Sequence, residues 1–326
     1  MLITMMLSRR AAIATAMGPL CSLKPAVGAP RSWELWPVML TPFKEDKSVD
    51  WTALDALTDW YLENGADGLF ACCQSSEVWE LTAGERLEIA ARVVKRAGPA
   101  PVVAGGLPAF DPAAVSEFVS ALEGHGVQAA VITTSQVAEK EESDTLWRQR
   151  IQAILRAVPR FSLGLYEAPS PYKRLLTADT VRWAAETGRF VFYKDTSCDV
   201  SAIAGRVPAI QGTPLRLFNA HVPILVDANR HGANGFSGIA ANAYPNLVSF
   251  AVHALTEQPQ RVAVVQEFLT RNEPVLNRNY PMSAKVLAGL AGVPLQPVCR
   301  RRTRTFTSEE LGRLHDLRKS ADSVLV

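Results

Sequence analysis

The sequence predicts a (β/α)8 barrel with a small C-terminal helical appendage. Three observations carry that expectation. Short apolar runs alternate eight times with longer amphipathic stretches between residue 36 and about residue 255, the pattern of parallel strands covered by helices. The joints between them carry helix-start and helix-stop residues. No Gly-x-Gly-x-x-Gly follows the first run, which counts against an open dinucleotide-binding sheet, and eight regular units favour closure.

The strand-like runs are 37–40, 68–72, 101–104, 129–133, 162–166, 190–193, 215–218 and 235–239. Between them, Trp51, Leu54, Leu57, Trp60 and Tyr61 form one apolar stripe, and Leu87, Ile89, Ala90, Val93 and Val94 form another. Val115, Phe118, Val119 and Leu122 make a third, and Trp147, Ile151, Ile154 and Leu155 a fourth. Each recurs at helical spacing and reads as core packing. Asp50, Thr82 with Glu85, Asp111-Pro112 and Thr177 are N-terminal caps, while Gly65, Gly98, Gly126 and Gly188 close helices. These units assign residues 31–256 to the barrel and 257–326 to the appendage, with helical stretches at 260–272, 281–290 and 308–323.

Hydrophobic residues make up 48% of the 326, enough for a large core, and the formal net charge is only +2. That balance gives no field to attract nucleic acid or an anionic membrane. The one basic run, Arg300-Arg301-Arg302 with Arg304, reads as a solvated loop. The five cysteines include an adjacent pair, Cys72-Cys73, and no Cys-x-x-Cys; the histidines show neither His-x-His nor His-Glu-x-x-His spacing. Buried, unpaired thiols are expected, with no metal and no cofactor.

Residues 1–30 read as an export signal or a disordered extension outside the fold. Ser8-Arg9-Arg10 precedes a mildly apolar stretch, and Val27-Gly28-Ala29 has the shape of a cleavage site. Paired arginines there resemble a twin-arginine signal, although Ala12 stands where that motif usually has Phe. The expected location is outside the cytoplasm if the signal is used, and cytoplasmic otherwise. The stretch is too short to span a bilayer, which takes about 20 apolar residues, and no later segment qualifies.

In such a barrel the chemistry belongs at the C-terminal ends of the strands. Lys194 follows the apolar Phe190-Val191-Phe192-Tyr193. A lysine amine attacks a carbonyl only when neutral, so its pKa must fall from about 10.4 towards about 7–8. That corresponds to roughly 4 kcal/mol of destabilised charge, within the reach of burial. The alternative is a lysine paired with Asp195 or Glu167. Tyr166, ending the preceding strand, can relay protons beside an imine-forming lysine, or it can be an amphipathic core tyrosine.

These residues resemble the dihydrodipicolinate synthase and N-acetylneuraminate lyase group of class I aldolases from about Trp36 to the C-terminal helices. Thr41-Pro42-Phe43 is similar to that family's opening strand, and Leu165-Tyr166-Glu167-Ala168-Pro169 to its Tyr-x-x-Pro motif. Tyr193-Lys194-Asp195-Thr196 is similar to its Schiff-base motif, Glu77 with Leu81-Thr82 and Glu85 to its second-strand segment, and residues 235–242 to its eighth strand. The resemblance implies that Lys194 forms an imine with pyruvate or another 2-oxo acid and that Tyr166 transfers protons. It implies a carboxylate site at the turn of Gln74 and Ser75, with Thr41, Gly235 and Ser237 as further substrate-binding residues. It also implies a homo-oligomer, commonly a tetramer.

Departures narrow the reaction. The family's Gly-Thr-Thr-Gly-Glu (or Ser at the first Thr) reads Cys73-Gln74-Ser75-Ser76-Glu77 here, so Gln74 replaces the Thr of the proton relay. Pro-Tyr-Tyr after the fourth strand is replaced by Thr134-Ser135-Gln136, leaving Gln136 as the candidate relay substitute. The arginine that dihydrodipicolinate synthases place two residues after the Pro of Tyr-x-x-Pro is Pro171, with Lys173 and Arg174 nearby. A guanidinium grips a second substrate carboxylate bidentately, so these losses point away from lysine biosynthesis. The expected function is a Schiff-base lyase or aldolase acting on a 2-oxo acid or a sugar-acid aldol product. The alternatives are a catalytically drifted binder of small oxo or sugar acids and a divergent 4-hydroxy-tetrahydrodipicolinate synthase. A metal-dependent barrel hydrolase would need a ligand cluster that the sequence does not display.

Overall fold

A computed structural model of the protein describes residues 33–108, 111–301 and 304–325. The expected export segment around Ser8, Arg9, Arg10 and Ala29 lies outside these residues, as do Cys21 and Arg302.

Eight parallel strands form the sheet: β1 (Glu34–Leu35), β2 (Leu69–Ala71), β3 (Val102–Ala104), β4 (Ala129–Thr133), β5 (Leu163–Tyr166), β6 (Phe190–Asp195), β7 (Arg216–Asn219) and β8 (Gly235–Phe236). Their order is β1-β8-β7-β6-β5-β4-β3-β2. A parallel bridge between Val38 and Phe70 joins the two ends, with the Met39 amide donating to the Phe70 carbonyl at 3.0 Å and the Phe70 amide to the Pro37 carbonyl at 3.0 Å. The sheet is therefore a closed barrel. The first strand departs from the expected 37–40: its ladder with β8 lies at Glu34–Leu35. Pro37 has no N–H to continue that ladder, so the chain turns there to β2.

Eight helices cover the barrel: α1 (Trp51–Glu63), α2 (Ala83–Ala97), α3 (Pro112–Gly124), α4 (Asp144–Ala157), α5 (Ala178–Glu186), α6 (Val200–Ile210), α7 (Leu225–Arg230) and α8 (Pro245–His253). The expected caps are in place: Asp50 accepts from the Ala53 amide, Thr82 and Glu85 form a capping box, and Asp111 and Thr177 cap their helices. Alternation divides the strands into two faces. Leu35, Tyr193 and Phe236 lie under the helices. Trp36, Phe70, Val103, Val131, Tyr166, Phe192 and Phe218 fill the interior.

That interior is strongly aromatic. Trp36 stacks on Phe192 with centroids 5.5 Å apart, and Phe192 contacts Phe218 at 4.9 Å. Gly235 makes room for it: a Cβ there would lie 2.7 Å from the Phe218 ring and 2.3 Å from the Glu34 carbonyl oxygen.

Three more helices follow: α9 (Pro259–Asn277), α10 (Met282–Leu290) and α11 (Ser308–Ser323). The sequence reading stops the first at residue 272, ahead of Pro274. The helix instead runs through that proline, because burial of Leu269 and Leu276 on one side outweighs the lost backbone hydrogen bond. Among the described residues, no helix is long and apolar enough to cross a membrane. The described cysteines are unpaired, with Cys72, Cys73 and Cys299 buried and Cys198 exposed.

Candidate active site

Register brings the two central residues together. Tyr166 on β5 is the lateral partner of Lys194 on β6, and both point into the barrel at the C-terminal end of the strands. The Lys194 ammonium sits 4.5 Å from the centroid of the Tyr166 ring and 6.0 Å from that of Phe70. The side chain is 3% exposed. Burial holds its pKa at about 8, well below the ordinary lysine value, and only the Cys73 sulfur acts weakly the other way.

The alternative partners face elsewhere. Asp195 and Glu167 lie on the outer face of the strands, where both pair with buried Arg206, the latter at 3.3 Å. Glu167 also accepts from the Tyr193 hydroxyl at 2.6 Å and the Leu176 amide at 2.7 Å. Burial pushes it up to about 7 against the pull of Arg206. One-residue alternation along β6 thus gives the guanidinium to the carboxylates and leaves Lys194 without an anionic partner among the described residues.

Tyr166 packs edge-on against Phe70 at 5.5 Å. Its phenol is buried, which raises its pKa well above the usual tyrosine value, with Cys73 and Tyr280 adding to the effect. A narrow cleft with room for about one water molecule opens beside it, lined among others by Cys73, Gln74, Trp79, Gly106 and Thr133, with no charged side chain among its lining residues.

The turn after β2 is a short 3-10 segment, Gln74–Ser76, followed by Glu77 in the left-handed region at φ 57°. Its first amides have no partner within the segment itself. Glu77 is fully buried and tied to Lys285 of α10 at 2.7 Å, and it accepts from the amides of Arg300 and Arg301 at 2.8 and 2.9 Å. Such multiple anchoring maintains a backbone conformation that is unfavourable for a side chain of this size. The basic run is therefore not simply a solvated loop. Arg300 pairs with Glu85 at 2.6 Å and lies over Phe43, and Arg304 pairs with Glu310.

The remaining expected site residues separate into groups. Gln74 and Ser237 each have a buried side-chain oxygen with no protein partner, Oε1 and Oγ respectively. Ser75 accepts a hydrogen bond from the Tyr280 hydroxyl at 2.7 Å. Thr41 donates to the Ser76 carbonyl at 2.9 Å, so it supports the turn. Gly235 lies against Phe218 and Glu34 and serves packing. Gln136 lines a different cleft with Leu107, Val115 and Ile154, on the side of α3 and α4; the structure does not bring it to Tyr166. Lys173 donates to the Thr196 carbonyl at 2.6 Å, and Arg174 to Asp144 and the Glu139 and Glu142 carbonyls. Both cations near Pro171 are thus engaged away from the cleft.

Two residues were missed as site members, Tyr280 and Lys285. Both lie in the C-terminal region, more than 200 positions from the turn they contact, and no local spacing signals such a pairing.

The model of the dihydrodipicolinate synthetase family matches residues 32–321. The chain is 26% identical over 273 residues to the 4-hydroxy-tetrahydrodipicolinate synthase of Acidobacterium capsulatum, covering 80% of this chain and 88% of that one. It is 30% identical over 217 residues to the enzyme of the same name from an Anaeromyxobacter species, covering 66% and 72%. Its fold is similar to that of the chloride-inhibited dihydrodipicolinate synthase from Acinetobacter baumannii complexed with pyruvate, with a TM-score of 0.79 at 21% identity over 89% of this chain and 99% of that one. The chain belongs to the dihydrodipicolinate synthetase family.

Proposed function

We propose that the protein is a class I lyase or aldolase in which Lys194 forms an imine with a 2-oxo acid such as pyruvate and Tyr166 moves the protons. The observation that carries this reading is a buried lysine at about 8 with no carboxylate beside it and a phenol against its side chain. Roughly one Lys194 in ten is then neutral at pH 7, enough to attack the C2 carbonyl. Burial keeps Tyr166 protonated, so it first acts as a donor, protonating the carbinolamine hydroxyl that leaves as water. In the cleavage direction its phenolate takes the proton of the substrate hydroxyl. The carbon–carbon bond breaks, its electron pair passes into the imine as an enamine, and an aldehyde is released. Protonation of the enamine and attack by water return the 2-oxo acid and the free amine.

The relatives' names favour a second reading, a divergent 4-hydroxy-tetrahydrodipicolinate synthase. Against it stand Pro171 and the engagement of Lys173 and Arg174 elsewhere; the absence of a free guanidinium there favours a substrate without a second carboxylate. Screening aldol products for pyruvate release, beside a condensation assay with aspartate semialdehyde, separates the two. Release from a neutral aldol product, lost in Lys194→Ala, supports the first reading; condensation alone supports the second, and neither activity removes both.

Export through Ser8-Arg9-Arg10 and assembly as a homo-oligomer complete the proposal, supported by the N-terminal sequence and by family resemblance. Retention of Arg9→Lys/Arg10→Lys in the cytoplasm would support export, and a monomer in sedimentation would remove the assembly.

A further inference from the structure

Ser75 is held by an array that extends beyond the barrel. Tyr280, in the link between α9 and α10, donates its hydroxyl to Ser75 Oγ at 2.7 Å. The Tyr280 oxygen accepts from Asn242 Nδ2 at 2.7 Å, and the same amide nitrogen donates to the Val38 carbonyl at 2.8 Å. Asn242 Oδ1 accepts from the Tyr61 hydroxyl at 2.7 Å. Tyr61 and Asn242 are fully buried.

The directions of these bonds follow from the available donors and the bond geometry. The Val38 carbonyl can only accept, so the amide nitrogen of Asn242 must face it and Tyr280. The Tyr280 oxygen accepts from that amide, and its single proton goes to Ser75 Oγ. A serine hydroxyl has one proton and two acceptor sites. Since its oxygen already accepts from Tyr280, the Ser75 proton points away, and among the described residues it meets no acceptor. The buried Lys285–Glu77 pair, five residues after Tyr280 and two after Ser75, clamps α10 to the turn and holds the two hydroxyls together.

We propose that Tyr280 is a positioning residue for the acid group of the substrate: by donating to Ser75 it commits the Ser75 proton to a ligand carboxylate, so that the C-terminal helical region helps set affinity for the 2-oxo acid. This rests on the imine reading of Lys194. A charge-assisted hydrogen bond to a carboxylate present throughout the reaction contributes mainly to binding.

The test uses the full chain and pyruvate, with borohydride trapping read as a function of pyruvate concentration. Ser75→Ala should raise the half-saturating concentration about 10- to 100-fold, and Tyr280→Phe about 3- to 10-fold, each changing it more than the limiting rate. The double variant should lie within about twofold of Ser75→Ala, because Tyr280 acts through Ser75. Tyr61→Phe, which only loosens Asn242, should give a smaller shift that also vanishes in the Ser75→Ala background, covering the case in which Tyr280→Phe does not fold. Unchanged half-saturation in Tyr280→Phe, or effects that multiply in the double variant, would overturn the positioning role while leaving the imine intact. No adduct in the wild type would remove the imine reading and this role with it.

Discussion

Replacing Lys194 by Met should make the protein more stable while abolishing imine formation. The ammonium is 3% exposed, and burial lowers its pKa from the ordinary 10.5 to about 8. That difference corresponds to about 3 kcal/mol of disfavoured charge in the folded state. The sign follows from proton linkage. Below pH 8 the amine is charged in both the folded and unfolded chains, and the full cost is present. Between pH 8 and 10.5 the unfolded chain holds the proton that the folded chain has released, so stability rises with pH. Above 10.5 both are neutral and the cost is gone. Methionine has similar length and no charge to bury, so Lys194→Met should gain up to about 3 kcal/mol at pH 7, and that gain should shrink between pH 8 and 10. Urea unfolding of both proteins across pH 7–10 measures it, with the other titrating groups cancelling in the difference. A variant less stable than wild type at pH 7, or a gap that does not change with pH, would refute the reasoning. An active site that costs stability in this way is a common consequence of function.

Tyr166→Phe keeps the ring against Lys194 and Phe70 and removes only the proton-bearing oxygen. Turnover should fall about 10²- to 10⁴-fold while the adduct with Lys194 still forms; equal turnover would exclude the phenol from proton transfer. Arg206→Leu leaves Glu167 and Asp195 buried side by side without their cation. It should cost about 3–5 kcal/mol. Glu167 already titrates at about 7 and would be pushed higher without Arg206, so protonation should relieve the loss as pH falls. Unfolding midpoints should therefore differ more from wild type at pH 8 than at pH 5, and a gap of one size at both would show that the carboxylates are not its source.

The barrel and its central pair were legible because both are local. Strand runs, caps and closing glycines repeat within about 30 residues, and Tyr166 and Lys194 end neighbouring strands. Where the sequence left Lys194 open to pairing with Asp195 or Glu167, strand alternation decides: Arg206, from the helix that follows β6, takes both carboxylates on the outer face. Gln136 shows the reverse difficulty, since one turn of a 3-10 segment determines whether a side chain faces the barrel mouth or the helices. The short first strand followed from the missing N–H of Pro37, which the apolar pattern does not weigh. Tyr280 and Lys285 were illegible because they reach Ser75 and Glu77 across the whole barrel, and an apolar, proline-flanked segment there reads only as helix packing. The motif departures at Gln74 and Pro171 were visible from the start. What the structure adds is that the nearby cations, Lys173 and Arg174, are engaged elsewhere.

The imine is tested most directly by incubating the protein with pyruvate, reducing with borohydride and mapping the modified peptide by mass spectrometry. One reduced pyruvyl adduct is expected, on Lys194, increasing as pH rises through about 8 and absent from Lys194→Ala. An adduct on Lys173 or Lys285 instead, or no adduct with pyruvate or any other short 2-oxo acid, would contradict it.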